Sequence, residues 1–397
     1  MKDPEPDTVL IRLGSDLDRE GNGVGEEHRT RRIAVVYGTR PEAVKLRGLV
    51  ELLGPDAYLI HSGQHYDPEM AADFERGIGF PAPEYRLAIG GGRRGRQIAE
   101  AIVGLESQFG EHESKTGSFA AVAVQGDTNT ALAGALAANA AGLPLVHVEA
   151  GLRSFDRLMP EEHNRTVVDH LADLCCAPTP TSAANLANEG ISGEARVAVT
   201  GNTVVEAVLA LRPDVEATRS ILAARGVERD RFVLATFHRP ENVDDREVLA
   251  AILRELAALP IPAVLPLHPR TATRAAAEGL EALLDKVVVT EPIGYRDFLG
   301  LMSAAALVVS DSGGVQEEAS VVKRPVVVVR RSTERPEVLG TFCRLVAPGP
   351  GIADAATEWL DDLAAVHERL AALASPYGEG HASALTLAAI DRLLASQ

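Results

Sequence analysis

Short apolar runs recur along the chain, and a cluster of polar and glycine residues directly follows many of them. Five of these runs are continuously apolar rather than alternating, which is typical of strands buried on both faces of a parallel sheet. The polar segments that follow them are Gly38-Thr39-Arg40-Pro41-Glu42, Gln125-Gly126-Asp127-Thr128, Glu149-Ala150-Gly151, His238-Arg239-Pro240-Glu241-Asn242 and Ser310-Asp311-Ser312-Gly313-Gly314. Ligands bind at the carboxyl ends of the strands in such sheets. The pattern therefore predicts a functional site that faces a cleft.

Strand-like and helix-like segments alternate from residue 31 onward, which predicts βαβ units with right-handed crossovers. Strands are predicted near 33–37, 57–61, 120–125, 144–148, 174–178 and 196–200, and again near 231–236, 262–267, 286–290, 306–310, 325–329 and 343–346. Helices are predicted near 41–53, 95–110, 129–141, 161–173, 245–258, 270–283, 295–304 and 314–321. The predicted fold class is α/β, with two Rossmann-like doubly wound domains facing a cleft.

Two breaks divide this pattern. The first is a polar stretch near 211–230 between the two halves, and the second is the Pro- and Gly-containing segment 376–380. The charged segment 1–30 lacks a clear period. We therefore predict a mobile extension over 1–30, Rossmann-like domains over 31–205 and 206–375, and a final helix within 376–397 that crosses back to the first domain.

The charge balance argues against one class of function. Lys and Arg number 39 and Asp and Glu number 56, which gives a net charge of −17. Because proteins bind nucleic acid mainly by neutralising phosphates, we expect no nucleic-acid partner. A local cationic pocket for a small phosphate ligand remains compatible with this charge.

The lengths of the apolar runs and the positions of the cysteines indicate the cellular compartment. No apolar run approaches the roughly 20 residues that span a bilayer, and the start of the chain lacks the apolar stretch of a signal peptide. Cys175, Cys176 and Cys343 form neither a CxxC pair nor a disulfide framework, so they are predicted to be buried core residues. These features predict a cytoplasmic protein with no membrane partner.

The segment 38–45 reads as a strand-to-helix turn. Gly38 allows a tight turn, Pro41 suits the start of a helix, and helix amino termini attract anions. Arg40 and Lys45 add cationic groups suited to a diphosphate. The alternative is an ordinary loop with a solvated arginine.

The segment 312–318 reads as a second turn of this kind. Gly313 and Gly314 let the backbone approach a phosphate after Ser312, and Glu318 lies about one helical turn further on, where a carboxylate can accept two ribose hydroxyls. The alternative is a helix start whose acidic first turn complements the helix dipole.

Asp127, Glu149 and Glu161 are the candidates for acid–base chemistry. Neighbouring buried carboxylates acquire different pKa values, so that one donates a proton while another accepts it. Each alone also fits a solvated loop residue, and Asp127 before Thr128 also fits a helix N-cap.

His238 directly follows an apolar strand, where it is suited to binding a phosphate or moving a proton; the alternative is a structural histidine. His65 has the same two interpretations. The histidines form no metal-binding pattern, so no metal site is predicted. Near Glu334 we expect three arginines, Arg330, Arg331 and Arg335, either to anchor a phosphate or a base or to form a surface salt-bridge cluster.

Taken together, these segments resemble the non-hydrolysing UDP-N-acetylglucosamine 2-epimerase family. The matching stretches are GTRPEAVK (38–45), GQHYD (63–67), QGDTNT (125–130), HVEAGLRSFDRLMPEEHNR (147–165), VTGN (199–202), FHRPEN (237–242), DSGGVQEE (311–318) and TERPE (333–337). The resemblance implies two domains of the glycosyltransferase-B type, a homodimer, and a UDP-sugar in the cleft between the domains.

The resemblance also implies roles for individual residues. Catalytic roles fall on Asp127, Glu149, Glu161 and His238. Substrate-binding roles fall on Arg40, Lys45, His65, Arg165, Ser312, Gly313, Gly314, Glu318 and Arg335. Among these, Glu318 is implied to bind the ribose, and Ser312, Gly313 and Gly314 the phosphates.

The implied reaction is inversion at C2 of UDP-N-acetylglucosamine. No carbonyl activates the hydrogen at C2, so the bond from C1 to UDP must break first and give oxocarbenium character. A carboxylate then removes the proton to give a glycal, and UDP adds back after the proton returns on the other face. No cofactor is required.

Four alternatives stay open at this stage. In the first, water adds to the intermediate in place of UDP and releases N-acetylmannosamine. In the second, the same inversion acts on another UDP-sugar. A glycosyltransferase shares the architecture but needs fewer acid–base groups. A nucleotide-sugar sensor would bind without turnover.

Overall fold

The computed structural model describes residues 31–64, 68–89, 92–267 and 269–396. The predicted extension over 1–30 and the candidate His65 lie outside the described residues. The described chain forms two parallel β-sheets with helices on their faces. The predicted fold class is thus confirmed.

The first sheet has seven parallel strands in the order β3-β2-β1-β4-β5-β6-β7, and the second has six in the order β10-β9-β8-β11-β12-β13. The strands are β1 (Ile33–Tyr37), β2 (Ala57–His61), β3 (Tyr85–Arg86), β4 (Ala121–Gln125), β5 (Leu145–Val148), β6 (Leu174–Ala177), β7 (Val197–Val199), β8 (Val233–Thr236), β9 (Ala263–Pro266), β10 (Val288–Thr290), β11 (Leu307–Ser310), β12 (Val326–Val329) and β13 (Cys343–Val346). The strand order reverses direction between β1 and β4 and between β8 and β11. Such points are where open parallel sheets bind ligands.

Seventeen α-helices cover the sheets within the described residues. They are α1 (Arg40–Leu53), α2 (Pro68–Gly77), α3 (Arg94–Thr116), α4 (Asn129–Ala140), α5 (Pro160–Leu171), α6 (Pro180–Asn188), α7 (Val204–Leu211), α8 (Val215–Ala223), α9 (Pro240–Val243), α10 (Arg246–Ala257), α11 (Pro269–Ala277), α12 (Glu281–Leu284), α13 (Tyr295–Ala304), α14 (Gly313–Val322), α15 (Ile352–Leu360), α16 (Leu363–Ala372) and α17 (Ala382–Ala395). No helix in this part of the chain has the length and hydropathy that a bilayer span requires.

The central strands are buried on both faces, which explains their continuous apolar sequence. In β1, Val35 packs into one hydrophobic cluster and Val36 packs into another on the opposite face. The three cysteines are buried and unpaired, as predicted.

Local capping differs from the prediction at α4. Thr128, not Asp127, is the N-cap, because its side chain accepts a hydrogen bond from the amide of Ala131. The Asp127 side chain is thereby left available for other contacts. A second difference is that the helix predicted over 270–283 is two helices, α11 and α12, separated at Gly279, which adopts a φ of +66°.

One helix contacts both sheets, and the last helix returns to the first sheet. After β7, α7 contacts both α1 of the first sheet and α14 of the second. Near the far end of the chain, α17 packs against α1 and β6 of the first sheet. The amide of Ser383 in α17 donates to Glu206 of α7 at 2.9 Å, which ties these two helices together.

Candidate active site

Lys45 lies at the centre of a buried charge cluster between the two sheets. Its ammonium group donates to Glu149, which follows β5, and lies 2.8 Å from Oε2 of Glu317 in α14. Burial alone would lower the pKa of Lys45, but these two carboxylates outweigh it and raise that pKa. Lys45 is thus a cation that already has two carboxyl partners, one from each sheet.

Glu149 adopts an unusual backbone conformation for a residue with a side chain. Its φ is +71°, in the left-handed region that non-glycine residues rarely occupy. Strain of this kind is concentrated at functional sites. Burial is the main influence on the Glu149 carboxyl and raises its pKa, although Lys45 and Arg335 oppose that effect.

Asn202 joins the two carboxylates that contact Lys45. Its Nδ2 lies 2.9 Å from Glu149 and 3.1 Å from Glu317. One amide therefore connects the loop after β7 with groups from both sheets.

Arg335 extends this cluster from the loop after β12. Its Nε donates to Glu317 at 2.8 Å, its Nη1 pairs with Glu334, and its Nη2 lies 3.5 Å from Glu149. Arg330 also binds Glu334, at 2.9 Å. All five side chains are buried, so the alternative of a surface salt-bridge cluster is wrong for Arg330, Glu334 and Arg335. The reason is that the loop folds inward between the sheets instead of outward into solvent.

Asp127 pairs with the buried guanidinium of Arg165 in α5. Nε of Arg165 lies 3.1 Å from Oδ2 of Asp127, and Nη2 also bonds the same oxygen. Burial alone would raise the pKa of Asp127, but Arg165 outweighs it and lowers that pKa. Asp127 and Glu149 therefore have pKa values displaced in opposite directions.

Glu161 and Glu162 are neighbours with different surroundings. Glu162 is buried and accepts hydrogen bonds from the amides of Ser154 and Phe155 at 3.0 and 2.8 Å, and it also pairs with Arg165. Glu161 is only half-buried. Glu162 therefore fixes the loop before α5, and Glu161 is the one of the two that remains accessible.

Gly313 begins α14 in a place where no side chain fits. A Cβ atom there would lie 2.7 Å from Nη1 of Arg335 and 2.8 Å from Oε1 of Glu334. Ser312 is the N-cap residue of this helix, and a Cβ atom on Gly314 would meet its nearest neighbour, Oγ of Ser312, at 4.0 Å. The first turn of α14 thus packs directly on the buried arginine. The amide groups of this turn lack partners within the helix, so this end of α14 attracts anions.

His238 follows β8 and is held by Asp311, which follows β11. Nδ1 of the ring lies 3.1 Å from Oδ1 of Asp311, whose carboxylate also accepts from the amides of His238 and Arg239. Asp311 is fully buried, whereas the His238 side chain is 42% exposed. The carboxylate therefore orients a ring that is partly exposed to solvent.

Glu318 accepts a hydrogen bond from the Tyr295 hydroxyl at 2.9 Å. Burial raises the pKa of Glu318 to about 7, with Tyr295 opposing the rise and Glu317 adding to it. Arg40 lies at the start of α1, with its guanidinium 5.3 Å from the centre of the Phe74 ring.

Sequence reasoning missed the partners of the predicted residues. Glu317, Asn202, Asp311 and Tyr295 each hold a predicted site residue, as described above. All except Tyr295 lie inside the matching stretches, so adjacency to a predicted residue was the signal available. Within the described residues, no group of three or more His, Cys, Asp or Glu side chains is arranged to hold a metal ion.

The chain is an α/β protein with two parallel-sheet domains. Helix amino termini, buried cations and acid–base carboxylates meet at the strand ends between the domains, and this arrangement suits a phosphate-bearing ligand. The family model described as UDP-N-acetylglucosamine 2-epimerase matches residues 54–391. The chain belongs to this family.

Individual relatives agree with the family assignment. A UDP-N-acetylglucosamine 2-epimerase from Methanococcus maripaludis is 37% identical over 326 residues, which is 80% of this chain and 87% of that protein. The crystal structure of Methanocaldococcus jannaschii UDP-GlcNAc 2-epimerase, in complex with UDP-GlcNAc and UDP, superposes with a TM-score of 0.78 at 36% identity, and covers 89% of this chain and 97% of that one. The UDP-2,3-diacetamido-2,3-dideoxy-D-glucuronate 2-epimerase of Pseudomonas aeruginosa is 36% identical, covering 78% of this chain and 86% of that protein.

Proposed function

We propose that this protein inverts C2 of UDP-N-acetylglucosamine to give UDP-N-acetylmannosamine, by elimination and re-addition of UDP. The observation that carries the proposal is the opposite displacement of two carboxyl pKa values, raised for Glu149 and lowered for Asp127. A pair of this kind supplies a proton acceptor and a proton donor at one pH. Family membership and the substrate-bound structure of the archaeal relative support the choice of sugar.

The reaction begins with the elimination of UDP. The C1–O bond breaks and its electron pair leaves with the β-phosphate of UDP. The C2 proton moves to the carboxylate of Asp127, and the electrons of the C2–H bond form the C1=C2 double bond of the glycal. Glu149 returns a proton to C2 from the opposite face, and the UDP oxygen then attacks C1. Asp127 afterwards loses its proton to solvent and Glu149 takes one up, which restores both groups. Glu161 is a third acid–base group at the more exposed side.

The departing UDP carries the charge that the site must stabilise. In this proposal the amino terminus of α14, at Ser312 and Gly313, receives a phosphate together with Arg40 and His238. Lys45, Arg165 and Arg335 act mainly on protein carboxylates and bring their positive charge close to the phosphates. Glu318 accepts the ribose hydroxyls.

A second candidate is the same inversion on a diacetamido uronic acid attached to UDP. It is favoured by the relative from Pseudomonas aeruginosa, whose identity of 36% is close to the 37% of the Methanococcus maripaludis relative. The chemistry at C1 and C2 is unchanged in this case, and only the groups around C3 and C6 differ.

Proton NMR of UDP-N-acetylglucosamine with the purified protein in deuterated water tests the proposal. We expect UDP-N-acetylmannosamine signals with deuterium at C2. Free N-acetylmannosamine would replace the proposal with the hydrolysing reaction. Absence of exchange, together with turnover of the diacetamido uronate, would establish the second candidate, and UDP binding without turnover of either would point to a transferase or a sensor.

The homodimer and the cytoplasmic setting stay predictions. Light scattering coupled to size-exclusion chromatography measures the mass in solution, where a dimer of the 42.0 kDa chain is expected at about 84 kDa (2 × 42.0).

A further inference from the structure

Beyond the proposed acid–base groups lies a buried histidine that contacts the Asp127 turn directly and the Glu149 turn through Asp169. His147 lies in β5 and is fully buried, with its Nδ1 2.6 Å from Oδ1 of Asp169 in α5. On the other side of the ring, Nε2 lies 2.8 Å from the carbonyl oxygen of Gly126, the residue before Asp127. Both ring nitrogens therefore face hydrogen-bond acceptors.

Asp169 is an acceptor only, because its other contacts are donors. Its Oδ2 accepts from Nη1 of Arg153 at 2.7 Å, and both oxygens lie within 3.3 Å of the amide of Gly151. Burial alone would raise the pKa of Asp169, but His147 and Arg153 outweigh it and hold that pKa below its ordinary value. A carbonyl oxygen such as that of Gly126 carries no proton to donate.

Arg153 links Asp169 to a carboxylate nearer the surface. It forms two hydrogen bonds of 2.7 Å with Glu189, whose side chain is 27% exposed. The other titratable groups facing this cluster are Cys175 of β6, which donates to the carbonyl of Asp169, and the exposed His170, 3.9 Å from Glu189.

We infer that His147 is a doubly protonated positioning residue that holds the Asp127 and Glu149 turns in register. Its Nε2–H fixes the carbonyl of Gly126, whose amide donates to Val148 at 3.0 Å. Through Asp169, its Nδ1–H is coupled to the amide of Gly151, two residues after Glu149.

The two turns are in close proximity. Gly126 adopts a φ of +68°, and a Cβ atom there would lie 3.9 Å from Oε1 of Glu149. A small rotation of either turn therefore changes the distance between the proposed acid and base. A misplacement of about 1 Å at a reacting group costs about 100-fold in rate.

Histidine-selective ¹⁵N NMR at pH 8 measures the protonation state directly. We expect one ring with protons on both nitrogens, and this signal should disappear in His147→Gln. His367 is an internal control, since its Nδ1 accepts from Arg324 at 2.7 Å and its Nε2 donates to Ala306 at 2.8 Å, so that its ring carries one proton. If no ring of the unmodified protein carries two protons at pH 8, the inference is overturned without any variant.

Kinetics test the positioning role, which rests on the proposed function. His147→Gln retains a donor toward Gly126, and His147→Asn retains one toward Asp169. In each folded variant we expect kcat to fall about 100-fold while KM and UDP affinity change little, and we expect no such fall in the matched variant His367→Gln. Unchanged kcat in both His147 variants would overturn the positioning role. If the unmodified protein has no epimerase activity but shows the doubly protonated ring, the proposed function fails while the assignment of the protonation state stands.

Discussion

The Nζ atom of Lys45 lies 2.8 Å from Oε2 of Glu317, which joins a helix of the first sheet to a helix of the second through a buried ion pair. Removing one member of such a pair leaves an uncompensated buried charge, which costs about 3–5 kcal/mol. We expect Lys45→Met and Glu317→Gln each to lower the unfolding midpoint. The double variant should lose less than the sum of the two, as a double-mutant cycle of denaturant unfolding would measure.

The exposed pair between Lys115 and Glu111 is a control for that cycle. Lys115→Met should leave the unfolding midpoint unchanged, because exposed pairs contribute little. Additive effects of Lys45→Met and Glu317→Gln would show that the two side chains do not interact in solution.

Glu161 and Glu162 allow catalysis to be separated from stability. Glu161→Gln should lower kcat by about 10²–10⁴-fold, the range for loss of an acid–base group, with an unchanged melting temperature. Glu162→Gln should lower the melting temperature, because Glu162 accepts two backbone hydrogen bonds and pairs with Arg165. An unchanged melting temperature in Glu162→Gln, or an unchanged kcat in Glu161→Gln, would contradict this division.

Substitution by alanine should have different effects at Gly313 and Gly314. Gly313→Ala pushes a methyl group against Arg335 and Glu334, which should destabilise the protein by about 1–3 kcal/mol and weaken UDP binding. Gly314→Ala meets no atom closer than 4.0 Å and should have little effect. Calorimetric titration with UDP measures both variants. Equal affinities would mean that the first turn of α14 lies outside the UDP site.

Glu318 predicts a dependence of stability on pH. Its pKa in the folded protein is about 7, above the ordinary 4.5, so its contribution to stability is complete below about pH 4.5 and is lost as the pH rises through 7. The loss is on the order of 3 kcal/mol, from 2.5 pH units at about 1.4 kcal/mol each. Glu318→Gln should therefore be increasingly stable relative to the unmodified protein between pH 5 and pH 8.

Melting temperatures across that pH range measure the effect. Glu161→Gln is the control, since this half-buried carboxyl lies outside the Glu318–Tyr295 pair. A constant difference between Glu318→Gln and the unmodified protein would show that Glu318 ionises normally.

The strands of both sheets were predictable because their burial on two faces leaves a continuous apolar run, as in 33–37 and 307–309. The two-residue strand β3 was not, because Tyr85 and Arg86 form an edge too short to show any period. The division of the predicted helix at Gly279 was missed because the segments on either side, 269–277 and 281–284, are rich in helix-forming residues and continue the helical pattern.

Within the site, residues at strand ends were predictable and their partners were not. Asp127, Glu149 and His238 follow strands directly, so their place at one edge follows from the parallel sheet. Glu317 lies inside a helix, and its role depends on Lys45 from the other sheet. Such a contact between distant segments has no local sequence signal. The same holds for Lys45, whose charge was assigned to a phosphate although two carboxylates already bind it.

The placement of α17 has a consequence for biosynthesis. This helix packs against α1 and β6, yet the ribosome makes it only after all strands of the second sheet. Domains usually fold as units, with the amino-terminal one first. Here a nascent chain that ends before residue 382 leaves that face of α1 uncovered. The first half of the molecule is therefore completed last, by the segment that leaves the ribosome after the second half.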